Sequence, residues 1–418
     1  MWQTSRTGRL DYLVVYRWRG DGYGYGPVGD LTFEGSGPRR NGRFRYASSY
    51  FGQAGAKAID PVGLPLVRKS YAAAPEEVPL AFHDAGPDGW GKEILTRAFP
   101  TSVLSMPEYL ALGGLGRTGD LAFGPTPTSG PVTWTPPEAP LVDLPDEADD
   151  LGALMDAAAA VEAGDAEGHH FKLLFRNSDV GGARPKARIR SEGRQWIAKF
   201  PTSLDKFDDP RVEAACLDVA EAAGFPVPRR KIVVAGRRAA LFVERFDRDE
   251  GTGGRPYAYL SAATLLKQSS ASYATERTYT DIAAVAQVIG VKDAPASIFG
   301  RLLLNAYLHN TDDHLRNHAF IDRGNGWTLS PVFDLVPHPD RARHVPAPAP
   351  GISPAWDIKA AMRAHAAFRL DAGEAEAIRE RVLQAARRLG EFMDAREVPP
   401  KDRRYLKDAF PEEMRFAP

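Results

Sequence analysis

Cysteine is almost missing from this chain: Cys216 is the only one in 418 residues. A lone thiol makes no intramolecular disulfide and no cysteine-based zinc site, and such usage fits a reducing compartment. Net charge is almost missing too, since 53 Lys and Arg oppose 54 Asp and Glu to leave −1 at pH 7. A protein built mainly to coat nucleic acid carries a strong basic excess, so the balance argues against that class, though not against local basic patches. No apolar run approaches the roughly 20 residues of a membrane span, so no membrane partner is expected. The opening Met1-Trp-Gln-Thr-Ser-Arg6 lacks the charged-then-apolar pattern of a secretion signal. These absences together lead us to expect a cytoplasmic location. Internal repeats and coiled-coil heptads are also lacking.

What is present suits a soluble globular protein: 43% hydrophobic and 26% charged residues. The length suits two or three domains. Residues 1–127 read as a small β-rich domain. Tyr12-Leu-Val-Val-Tyr-Arg-Trp18, Val28–Phe33 and Arg43–Tyr46 are its strands, and Phe82–Leu95 is a glycine-punctuated turn leading into a helix. Prolines recur and no apolar period holds across 128–147, the composition of a linker. In 148–250 a capped helix, Asp149–Ala163, comes first. Strands at Ala187–Arg190, Trp196–Phe200, Lys231–Ala235 and Ala240–Glu244 follow, interrupted by one helix over Val212–Ala223. A stretch Phe171–Phe175 before the glycine-rich loop reads as the first arm of a hairpin. From 251 to 418 the chain is mainly helical, with Ile282–Ile289, Ile298–Leu308, Ile358–Arg363 and Ala372–Met393 carrying the helical period. The order predicts an α+β fold: a β-rich small lobe and a helical large lobe, preceded by the β-rich domain.

The run Asn310-Thr-Asp-Asp-His-Leu-Arg-Asn317, with Phe333-Asp334-Leu335 a short hairpin later, carries the chemistry. Asp312 and Asn317 have the D-x-x-x-x-N spacing of a kinase catalytic loop, and Asp334 is a further acid able to hold a metal. A phosphoryl-transfer site of this type needs those groups: one acid toward the substrate hydroxyl, an amide and a second acid on Mg²⁺ against the ATP phosphates. His314 and His318 stand at i, i+4, but no H-E-x-x-H glutamate accompanies them, so we read His314 as stabilising the loop near the nucleotide and not as a zinc ligand.

Four further pieces follow in kinase order. Val180-Gly181-Gly182-Ala183, running to Lys186, is a glycine loop whose backbone N–H groups can approach phosphate oxygens. Lys199 ends a strand after that loop, within reach of α/β-phosphates. It reads equally as a solvated strand-end lysine. Glu213, on the one helix of this lobe, is either a partner of Lys199 or a solvent-facing helix charge. Glu244 and Phe246 lie where a strand runs into a polar segment, a position to hold an adenine edge or simply a strand end. No piece decides alone, but their order argues for a kinase.

These residues resemble the HipA family, bacterial serine/threonine-protein kinases that are the toxins of type II toxin–antitoxin modules. Gly181–Lys186, Trp196–Pro201, Val243–Arg248, Asn310–Phe320 and Pro331–Leu335 carry the likeness, and Phe82–Gly89 and Gly116–Leu121 extend it more loosely into the first domain. The resemblance implies a two-lobed protein-kinase-like fold with Asp312 as catalytic base. Asn317 and Asp334 would be Mg²⁺ ligands and Lys199 the ATP-phosphate lysine, with Val180–Lys186 as the phosphate loop. It further implies a helix-turn-helix antitoxin, operator DNA bound through that antitoxin, and an aminoacyl-tRNA synthetase as protein substrate, with stalled translation and persistence as the outcome. Family members carry a serine in the phosphate loop whose autophosphorylation silences the kinase. Here Asp179 precedes Val180, which leaves Ser178 as the candidate. Arg316 stands where lysine is common. Two rival readings remain: a small-molecule kinase, and a nucleotide-binding but catalytically silent co-repressor subunit.

Overall fold

The computed structural model describes residues 1–418 apart from 21, 36–39, 137–149, 176–181, 250–253, 274, 340–344 and 415–418. The chain divides into two compact units, one of residues 1–203 with 247–260, the other of 204–246 with 261–418.

The first unit is built on an antiparallel sheet of five strands, β1 (Tyr12–Trp18), β2 (Tyr25–Glu34), β3 (Asn41–Tyr46), β4 (Ser70–Ala72) and β5 (Leu121–Gly124), in the order β4-β3-β2-β1-β5. The register follows from side-chain alternation. In β3, Gly42, Phe44 and Tyr46 are buried while Asn41, Arg43 and Arg45 are exposed, so a slip by one residue would turn the charges inward. Three helices follow β4: α1 (Leu80–Asp84), α2 (Gly89–Ala98) and α3 (Met106–Leu112). A buried charge network ties them to the sheet. Arg40 donates to Glu77 at 2.7 Å and to Glu108 at 2.9 Å, and Glu108 also closes the capping box with Ser105 at the start of α3. The described part of the proline-rich stretch runs back over this domain, with the Val132 N–H on the Phe123 carbonyl, the Trp134 N–H on the Ala111 carbonyl, and Trp134 itself buried.

Helices α4 (Leu151–Ala163) and α5 (Gly168–Phe175) come next. Asp150 caps α4 and Gly164 ends it with φ +81°. The stretch Phe171–Phe175, expected as a strand, is the second half of α5. A run this short does not distinguish the two periods. The hairpin of β6 (Lys186–Ser191) and β7 (Arg194–Lys199) follows, and the returning segment 247–260 adds most of the strand Ala258–Ser261 to this unit.

The second unit begins with α6 (Asp209–Ala222), capped by Asp208 and started by Pro210, and continues through the hairpin of β8 (Arg230–Ala235) and β9 (Arg238–Glu244). Cys216 lies fully buried in α6, and burial pushes its thiol well above the ordinary range. Beyond β10 (Ala258–Ser261) come α7 (Ala262–Leu265), α8 (Tyr279–Val288) and α9 (Ala294–Tyr307), then the hairpin of β11 (Ala319–Asp322) and β12 (Trp327–Leu329). Helices α10 (Ile358–Arg363), α11 (Ala372–Ala386), α12 (Leu389–Ala395) and α13 (Pro400–Leu406) close the chain. The expected single helix Ala372–Met393 is therefore two. Val382, Ala386, Leu389 and Met393 are all buried, so the apolar period passes over the break and conceals it. Among the described residues no helix is long and apolar enough to cross a membrane.

Candidate active site

The catalytic-loop run sits between a buried helix and a strand. Every residue of α9 from Ile298 to Tyr307 is buried, which fixes the helix as a post through the core. Two of those residues are polar, Arg301 and Asn305, spaced i, i+4 and hence on one face. The chain leaves α9 through His309, whose φ of +51° reverses its direction. The Asn310 amide donates to the Asn305 Oδ1 at 2.8 Å. From there the loop folds on itself: the Asp312 N–H donates to the Asn310 Oδ1 at 3.3 Å and the His314 N–H to the Asp312 carbonyl at 2.9 Å. A single 3₁₀ turn, Leu315–Asn317, brings the Asn317 amide back onto the Asp312 carbonyl at 3.2 Å. The five-residue spacing of Asp312 and Asn317 is thus closed by a direct bond.

The two adjacent aspartates have different fates. Asp313 is buried and saturated: its carboxylate accepts from the Asn305 amide at 2.7 Å and from the Tyr279 hydroxyl, and meets the His318 Nε2 at 2.9 Å. Burial works to raise the Asp313 carboxyl, but His318 and the Tyr279 hydrogen bond outweigh it and hold the group below its ordinary value. Arg301 lies nearby, lowered to about 10 by burial against the attraction of Asp313. Asp312 by contrast is half-buried. A group that must meet a substrate has to be the accessible one. Sequence reading singled out Asp312 and missed the anchor of Asp313, Asn305, Tyr279, His318 and Arg301. The available signal was the pair Arg301 and Asn305 inside an otherwise apolar helix.

Asp334 arrives after the β11–β12 hairpin with φ +58°, a left-handed conformation that aspartate tolerates better than most residues. The same turn bends its carbonyl toward the Asn310 amide, 3.5 Å away. Asp334, Asp312 and Asp313 all act on His314, yet burial prevails and keeps the imidazole below its ordinary value, therefore neutral near pH 7. His314 also packs against Tyr273, ring centroids 4.7 Å apart, and the Arg316 guanidinium covers the same tyrosine at 4.5 Å while donating to the Ser270 carbonyl. One carboxylate, Asp334, and one amide, Asn317, are an oxygen donor set of the kind that holds Mg²⁺ together with phosphates and water.

Within the same unit Glu213 is buried, 2% exposed, on α6, so it is not the solvent-facing charge that its helix position allowed. Glu244 is buried at the end of β9, with its N–H on the Arg229 carbonyl at 2.8 Å. Phe246 packs on Phe333, the neighbour of Asp334, ring centroids 5.2 Å apart.

The other expected residues belong to the first unit. Lys186 and Lys199 are directly opposite in the β6–β7 ladder, at its end nearest the glycine loop. Like charges facing each other on one rung are unfavourable unless something anionic meets them. Lys186 is buried and Lys199 half-buried, so Lys199 is not a freely solvated strand-end lysine. Gly182 has φ +107°, a backbone conformation that favours glycine, and a Cβ there would come 2.2 Å from the Lys186 Nζ, so the chain passes close over that amine. Ala183 is exposed. Val180, Gly181 and the possible phosphorylation site Ser178 lie outside the described residues.

Comparison with known proteins places this geometry in a family. Residues 178–391 match the family model described as HipA-like C-terminal domain. Those residues hold the glycine loop, both lysines and the Asp312–Asp334 region. Among solved structures, a Shewanella oneidensis MR-1 HipA, from a complex of that toxin–antitoxin system with HipB and operator DNA, is similar over 95% of this chain and 94% of its own, with a TM-score of 0.67 and 17% identity. A Helicobacter pylori proinflammatory kinase, CtkA, aligns over 51% of this chain and 90% of its own at 13% identity and a TM-score of 0.32, a likeness too low for a fold argument. The architecture is accordingly a kinase-like mixture of helix and sheet with a β-rich N-terminal region. With the family model spanning more than half of its length, the chain belongs to the HipA-like family.

Proposed function

We propose that this chain is an ATP-dependent protein kinase that acts as the toxin of a toxin–antitoxin pair. The observation that carries the reading is the split between Asp312 and Asp313: one acid is locked as a buried anchor, which leaves its neighbour half-buried at the mouth of the loop, five residues from an asparagine bonded to it. That arrangement suits a base that accepts a proton from a substrate hydroxyl, with the backbone of Asp312 also closing the turn.

In the proposed mechanism Asp312 orients a Ser or Thr hydroxyl and accepts its proton as the γ-phosphoryl group transfers in line. Lys199 and Lys186 hold the phosphates, with Glu213 as the partner of Lys199. Backbone groups near Glu244 and the ring of Phe246 receive the adenine. Asn317 and Asp334 would hold Mg²⁺, which when bound neutralises charge on the phosphates. His314, neutral and packed on Tyr273, keeps the loop in place without adding positive charge. Most of the rate would then come from positioning and electrostatics. The sequence division at 127, 147 and 250 remains our proposal for the functional domains.

The related complex contains HipB and operator DNA. By analogy we propose a helix-turn-helix antitoxin as partner, with operator DNA reached through it, and an aminoacyl-tRNA synthetase as substrate, in the cytoplasm. The test is transfer from radiolabelled ATP in host lysate by wild type and Asp312→Gln. One labelled band of synthetase size, absent with the variant, supports the reading. ATP binding without label on any protein would move it to a small-molecule kinase or a silent co-repressor subunit.

A further inference from the structure

Helix α2 of the β-rich region reaches the glycine loop from both sides. At its start the Trp90 N–H donates to the Gly182 carbonyl at 3.0 Å. The Trp90 indole Nε1 donates to the Lys186 carbonyl at 3.1 Å. One residue thus grips the chain at two points four residues apart, and its side chain is 2% exposed. The residue before it admits no side chain: a Cβ on Gly89 would stand 2.7 Å from the Ala183 Cα and 2.9 Å from the Gly182 carbonyl oxygen. The first N–H groups of a helix have no partner inside the helix, and here one of them is given to the loop. At the other end of α2, Phe99 packs edge-to-face on Phe175, the last residue of α5 before the loop, with ring centroids 5.5 Å apart. Arg97 fixes the same end by donating to the Val161 carbonyl at 3.1 Å. Ten residues of helix, about 15 Å, therefore tie down the chain before the loop and after it.

We propose that α2 is a brace for the phosphate loop, and that Gly89 and Trp90 are positioning residues which set nucleotide affinity through Gly182 and Lys186. The proposal rests on the nucleotide site described above. Its physical content is preorganisation: Gly182 and Lys186, already held by Trp90, lose less freedom on meeting phosphates. It gives the N-terminal region a direct part in ATP binding, beyond any role in assembly.

The experiment uses full-length protein: wild type, Trp90→Phe, Gly89→Ala, and Ile94→Val as a control elsewhere in the buried face of α2. ATP binding is measured by calorimetry with Mg²⁺, steady-state KM and kcat by phosphate transfer, and backbone exchange of the peptide 182–187 by mass spectrometry without nucleotide. Trp90→Phe removes one hydrogen bond and should weaken ATP binding about five-fold. Gly89→Ala displaces the loop and should weaken it more. In both, KM for ATP rises more than kcat falls and exchange across 182–187 increases, while Ile94→Val changes neither. Unchanged affinity in both variants overturns the proposal. So does an equal loss in Ile94→Val, which would mean general destabilisation. If wild type binds no ATP, the nucleotide reading itself fails and the affinity claim goes with it. The exchange measurement then decides the brace alone: faster exchange in the two variants supports it, and unchanged exchange overturns it.

Discussion

The catalytic loop and the glycine loop are held in place by opposite means. Asn310–Asn317 stands on a buried network of side chains, in which Asp313 bonds to Asn305, Tyr279 and His318. Gly182–Lys186 is held through its backbone, with two carbonyls taken by one tryptophan. Charged, fully desolvated hydrogen bonds are strong, and breaking one partner is costly, so the first region is built to stay still. Each of those two neutral bonds, at about 1 kcal/mol, is a weaker tie than a charged buried one. The proposed function would use that difference: the groups proposed as base and metal ligands must keep one geometry, while the proposed phosphate loop must admit and release nucleotide.

Each prediction below tests one side of this contrast. The largest effect should come from Asp312→Gln, which removes the proposed base: transfer to protein falls by at least about 100-fold, while ATP binding by calorimetry and urea stability stay near wild type. Transfer at the wild-type rate would remove Asp312 from the mechanism. Next is its neighbour. Asp313→Ala strips the partner from His318, Tyr279 and Asn305 and should cost about 3–5 kcal/mol in urea unfolding, against under about 1 kcal/mol for Asp312→Ala. Equal costs for the two would erase the distinction between anchor and base. Third, Lys199→Met takes away the proposed charged phosphate contact and should raise KM for ATP by about 10- to 100-fold, with little change in unfolding.

The smallest effect concerns pH. His314 is lowered by burial, so the folded protein favours its neutral form and gains stability above the unfolded pKa of about 6.5. That contribution is lost as pH falls from there through the lower folded value. Melting temperature in EDTA, without nucleotide, should therefore decline below about pH 6.5, and the decline should be shallower in His314→Asn. Identical profiles would show that the ring bears no such penalty.

Much of this was legible in the sequence because it is local. The spacing of Asp312 and Asn317 fits a single 3₁₀ turn, and that turn depends on only a few neighbouring residues. The alternation of β3 and the capped start of α4 are likewise written in consecutive residues. The failures have equally physical causes. Phe171–Phe175 carries too few residues to separate a helical from a strand period, and the break between α11 and α12 lies under an unbroken apolar period. Glu213 gave no sign of burial, since a glutamate on a helix is usually solvated.

The sequence by itself determined the mixed α+β class, the order of the chemical groups and the membership of Asp312, Asn317 and Asp334 in one short stretch. Tertiary structure alone decided which of two adjacent aspartates is the anchor, because that depends on Asn305, Tyr279 and His318 arriving from a helix, a second helix and the start of a strand. It alone decided that two lysines share a rung and that Trp90, nearly a hundred residues earlier, grips the glycine loop. Local spacing fixes a turn, whereas a buried hydrogen bond exists only once distant segments have met and excluded water from between them.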